Sequence, residues 1–68
     1  MTGSRYERET PVRVVYGGRT YNGSWRAMEG MVHVSSAYGS RSAEIGLFAP
    51  ETRAAMVFED LVHDWRPA

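Results

Sequence analysis

Four arginines and a histidine, Arg13, Arg19, Arg26, His33 and Arg41, are spaced among serines and asparagine through the first two thirds of the chain. Guanidinium and imidazole groups held on a rigid surface can grip a phosphate backbone or an acidic segment of another protein. The ordinary alternative is the polar solvent face of a half-buried sheet. Single-strand binders add exposed aromatic rings to such a surface. Here Tyr16 and Tyr38 lie only at strand ends, and no RNP, helix-turn-helix or zinc-finger pattern occurs.

Other chemistry has less to work with. His33 and Glu44 form the one acid–base pair worth naming, and an open face offers them no water-excluding pocket. Glu59 and His63 stand one helical turn apart, a spacing that more often supports a helix than chelates a metal. There is no nucleophile elbow, phosphate loop or HExxH motif, and no cysteine for a thiolate site or a disulfide. The expectation is a protein that is not an enzyme and carries no cofactor or metal.

Composition limits the partners. Eight basic residues, all arginine, balance eight acidic ones, so no global field steers the chain toward nucleic acid or membrane. The first 46 residues are mildly basic and the remainder mildly acidic. At 68 residues the chain makes one domain near the lower limit for independent folding. Without staples, self-association is a natural source of extra stability, which puts a homodimer beside an unidentified protein as the expected partner. No apolar run approaches the roughly 20 residues of a membrane span, and the polar first ten residues lack a signal-peptide core. The expected location is the cytoplasm.

The elements that would position these groups follow from glycine punctuation. Residues 1–10 read as a loose tail and 11–68 as one domain. Strands are expected at about 12–16, 19–28, 31–38 and 41–45, with two-residue turns at Gly17-Gly18, Glu29-Gly30 and Gly39-Ser40. That spacing sets Val14 opposite Tyr21, Trp25 opposite Val34, Ala27 opposite Val32 and Val34 opposite Ile45. One face then gathers Val12, Val14, Tyr21, Trp25, Ala27, Val32, Val34, Ala43 and Ile45. A one-residue slip would scatter them over both faces. Asn22-Gly23 is itself a hairpin signal, but here Gly23 reads as a bulge or close-packing point inside one long strand.

The last third carries Ala54, Val57, Phe58, Leu61, Val62 and Trp65 at helical spacing, the stripe of one amphipathic helix over about 50–65. Pro50 suits its first turn. Leu47 and Phe48 are expected to plug the gap between helix and sheet. The predicted fold is α+β: a four-stranded antiparallel meander covered on one face by a single C-terminal helix. Arg53, Glu59, Asp60, His63 and Asp64 would then face solvent. Val15, Met28 and Met31 would point away from the helix, an adaptable apolar margin suited to protein contact. Strands one and four would each leave a free edge through which two copies could pair.

The run Tyr16-Gly17-Gly18-Arg19-Thr20-Tyr21-Asn22-Gly23-Ser24-Trp25, with Gly30-Met31-Val32-His33-Val34 and Ser36-Ala37-Tyr38-Gly39-Ser40, resembles short uncharacterised proteobacterial proteins. Those share a glycine-punctuated strand region and a C-terminal helix over about three quarters of the chain. The resemblance implies a bacterial, cytoplasmic, single-domain protein and transfers no activity, cofactor or binding residue. The expected function is a binding module working by protein interaction or self-association, with a nucleic-acid-binding accessory role as the alternative.

Overall fold

A computed structural model describes residues 9–65. The expected tail falls outside the described residues except for Glu9 and Thr10, and Thr10 opens the first strand. The strands are β1 (Thr10–Tyr16), β2 (Arg19–Met28), β3 (Met31–Ser36) and β4 (Gly39–Glu44), followed by α1 (Pro50–Trp65). They form one antiparallel sheet in the order β1-β2-β3-β4, and α1 lies across one face of it.

The first two turns form where the glycines stand. Gly17 and Gly18 have φ of 61° and 79°, and Glu29 and Gly30 have 54° and 80°. Two consecutive positive φ angles mark the hairpin turn whose twist matches the flanking strands. Val14 therefore meets Tyr21, Trp25 meets Val34, and Ala27 meets Val32. β2 is continuous through Asn22 and Gly23, which pair with Arg13 and Val12. Gly23 is a close-packing point: a Cβ there would lie 2.9 Å from the Ser35 carbonyl oxygen and 3.1 Å from the Phe58 ring.

The third turn differs from the expectation. It is made by Ala37 and Tyr38, so that Ser36 meets Gly39 and Val34 meets Arg41 rather than Ile45. Neither corner residue has a positive φ, and the glycine conformation falls one place later, at Gly39 with φ 133°. Ser36 organises the corner, its Oγ accepting from Tyr38 N (3.1 Å) and donating to the Gly39 carbonyl (3.0 Å). The shift is an even number of residues, so the faces keep their polarity.

The core joins Val12, Val14, Tyr21, Val32 and Val34 of the sheet to Ala54, Val57, Phe58, Leu61 and Val62 of the helix. Trp25, Ala27, Ala43 and Ile45 pack against it, partly buried. Trp65, the last residue of the stripe, is a correction: it stays 48% exposed. It meets Tyr38 and Tyr21 edge-on, with ring centroids 4.9 and 6.3 Å apart. The helix is ending there, so the indole rests against Tyr38 of the third turn and the edge of buried Tyr21, with half of its surface left in solvent.

Leu47 is not a plug. It is fully exposed and Phe48 is half-exposed, because a tight turn holds the connection outward. Gly46 has φ 66° and Phe48 N donates to Ile45 O at 3.3 Å. Arg53, expected in solvent, is partly buried against this turn. Its Nε donates to the Glu44 carbonyl at 2.7 Å, and its guanidinium lies 5.6 Å from the Phe48 ring centroid.

Candidate interaction surface

Alternation along the strands fixes which side chains share the uncovered face. β1 contributes Arg13 and Val15, β2 Asn22, Ser24, Arg26 and Met28, β3 Met31, His33 and Ser35, and β4 Ser42 and Glu44. Across the ladders Arg13 meets Asn22, Arg26 meets His33, His33 meets Ser42, and Met28 meets Met31. The expected juxtaposition of Arg26 and His33 is present.

Two of the five candidate side chains do not belong to this face. Arg41 is in register with Val34, a core residue, and so projects to the helix side. There its Nη2 lies 2.8 Å from Asp64 Oδ2. Arg19 pairs with Tyr16 and stands two residues before buried Tyr21, on the same face, which places it on the helix side as well. Arg13, Arg26 and His33 remain. Arg26 is half-buried, and its Nε is buried without a hydrogen-bond partner.

Polar groups on the open face are used locally. Ser24 Oγ donates to Glu9 Oε1 at 2.8 Å. His33 Nδ1 and Ser42 Oγ are 2.8 Å apart. A hydroxyl beside an imidazole is part of a nucleophilic apparatus, which further needs a group orienting the ring and donors for the developing oxyanion. Among the described residues no carboxylate is bonded to the other ring nitrogen of His33. Glu44, expected to approach His33 diagonally, does sit at the diagonal position opposite Met31, without a hydrogen bond to the ring.

The apolar component is arranged as expected. Val15 is 68% exposed near the end of β1, and Met28 and Met31 are partly exposed beside each other at the Glu29-Gly30 turn. Val15 and the methionine pair sit toward opposite ends of the face, with Arg13, Arg26 and His33 between them.

The helix face is less uniformly acidic than the sequence suggests. Glu59 and Asp60 are exposed, whereas Asp64 is tied to Arg41, whose hydrogen bond and charge hold its carboxyl below the usual aspartate pKa. The His63 ring packs edge-on to Tyr16 at 5.5 Å. Among the described residues no group of three or more potential ligands could hold a metal ion. Nor is any helix among them long and apolar enough to cross a membrane.

No protein-family model, curated protein or solved structure matches the chain.

Sequence reasoning missed the Arg41–Asp64 pair and the ring cluster of Tyr21, Tyr38, Phe58 and Trp65. Both depend on the third turn. Ser36 two residues before Tyr38 was the available signal, since a serine hydroxyl can close a turn that lacks glycine.

Proposed function

We propose that the protein is a small bacterial, cytoplasmic, non-enzymatic module that works by protein interaction or self-association. The observation that carries this reading is the composition of the uncovered sheet face. Val15, Met28 and Met31 lie on it, while two of the five candidate polar residues have left it for the helix side. What remains is a mixed apolar and polar surface, the usual makeup of a non-obligate protein interface. Two arginines and a histidine with a balanced net charge are a thin footprint for nucleic acid. The source and compartment are carried over from the resemblance read in the sequence and from nothing else.

The test is a set of amide NMR spectra recorded over a dilution series and during titration with single-stranded and duplex oligonucleotides at low salt. The reading expects concentration-dependent shifts around Val15, Met28 and Met31 and none from the oligonucleotides. Salt-sensitive oligonucleotide shifts centred on Arg13, Arg26 and His33 would overturn it in favour of phosphate recognition.

A further inference from the structure

We infer that the free edge of β1 is a strand-addition site whose partner is β1 of a second copy, in an antiparallel register centred on Val14. This rests on the self-association branch of the reading above and places the contact at the β1 edge beside Val15, away from Met28 and Met31.

Among the described residues the sheet has two edges, β1 and β4, and they are not equivalent. β4 is polar, and one of its carbonyls, that of Glu44, is occupied by Arg53 Nε at 2.7 Å. β1 is apolar from Val12 to Tyr16 apart from Arg13. Tyr16 and Arg19 close a two-residue turn and so exchange backbone hydrogen bonds. Alternation back along β1 turns the main-chain groups of Pro11, Arg13 and Val15 outward. Pro11 agrees with this, since a residue lacking N–H fits only at an outward position of an edge strand. Val12 and Val14 are also the most exposed members of the core, at 8 and 9%, as residues missing a neighbour on one side should be.

The choice among self-pairing registers follows from two side chains. Centring on Arg13 would set two guanidinium groups directly opposite and place Pro11 against Val15, losing a donor. Centring on Val14 sets Arg13 against Val15 of the second copy, and Val15 against its Arg13, giving four main-chain bonds. Pro11 then falls beyond the paired segment. Val14 faces its own copy across the two-fold axis, so that residue i meets j and j meets i, as a closed dimer requires. A formal net charge of zero leaves no overall repulsion between copies.

The side chain of Val15 is exposed on the open face, so its substitution tests the register with little effect on the fold. Val15→Lys sets like charges opposite each other twice, and Val15→Glu sets opposite charges twice. Each contact is worth a few tenths to about 1 kcal/mol, so sedimentation equilibrium should show the dimer weakened roughly tenfold by lysine and strengthened by glutamate. Val15→Pro removes two donors and should weaken it roughly tenfold to a hundredfold. Amide exchange should slow at Arg13 and Val15 with rising concentration, and not at Ser40 or Ser42. A dimer indifferent to charge at position 15, or protected at Ser40 and Ser42, overturns β1 pairing and leaves self-association standing. A chain monomeric at millimolar concentration overturns both.

Discussion

Replacing Gly23 by alanine adds one methyl group where the neighbouring strand and a core ring already press close. Gly23 sits mid-sheet, between Val12 of β1 and Ser36 of β3. The new Cβ would stand 2.9 Å from the Ser35 carbonyl oxygen, 3.1 Å from Phe58 Cζ and 3.1 Å from Ser36 Cβ. None of these can give way freely. The carbonyl belongs to the neighbouring strand, and Phe58 is fully buried. Overpacking of this kind costs ~1–3 kcal/mol, against a gain of ~0.4–1 kcal/mol from the stiffer unfolded chain. The net loss should be ~1–2 kcal/mol, a large fraction of the few kcal/mol expected for so small a domain. Urea unfolding followed by tryptophan fluorescence reads it directly. With a slope near 1 kcal/mol per molar, the midpoint should fall by ~1–2 M at unchanged slope. In a Phe58→Leu background the penalty should shrink, because the ring contact is gone while the carbonyl contact stays. Equal or greater stability of the alanine variant would refute this account of β2. An identical penalty in both backgrounds would remove the ring from it.

Trp65→Ala should cost about 2 kcal/mol rather than the ~3–5 of a fully buried aromatic, because half of the indole is exposed; a urea-midpoint loss twice that size would place the indole in the core. Arg26→Met keeps the aliphatic stem and removes the buried, unpartnered Nε, so thermal or urea denaturation should show a gain of about 1 kcal/mol, and a loss of that size would mean Nε is satisfied in solution. Arg41 lowers the pKa of Asp64, so the pair contributes above the ordinary aspartate pKa, near pH 4, and the contribution disappears as pH falls through the lowered value. The Tm difference between wild type and Asp64→Asn should therefore shrink between about pH 5 and 2; a difference constant over that range would show that the carboxylate charge plays no part.

The sheet was legible as far as its turns were made by glycine. Gly17-Gly18 and Glu29-Gly30 need positive φ, which the residue type announces, and the pairings Val14–Tyr21 and Trp25–Val34 follow by counting. At Ser36–Gly39 the corner is held by a serine side chain, and Gly39, with φ 133°, closes the turn instead of standing at its corner. The resulting four-residue error in partners left the apolar face intact because it is even. The site was less legible than the fold. Arg26 beside His33 and Met28 beside Met31 followed from the second turn. Arg19 and Arg41 were assigned to the face by charge, although strand alternation sends both to the other side. Leu47 looked like core by hydropathy, yet Gly46 and Arg53 hold its turn outward, a long-range constraint that no local pattern records.

The order of elements has a consequence for the chain as it is made. Every strand pairs with its neighbour in sequence across a two-residue turn, so the sheet assembles from local contacts that are quick to form. The layer that covers its apolar face is α1, the last element of the five. On a ribosome adding ~5–20 residues per second, Val12, Val14, Tyr21, Val32 and Val34 are all present before the first helical residue. Synthesis of α1 takes about one to a few seconds more, during which the residues of the apolar sheet face exist without their cover. Late codons, those for residues 50–65, thus decide how long this protein needs shelter from its neighbours, and slowing them should raise its demand for chaperones.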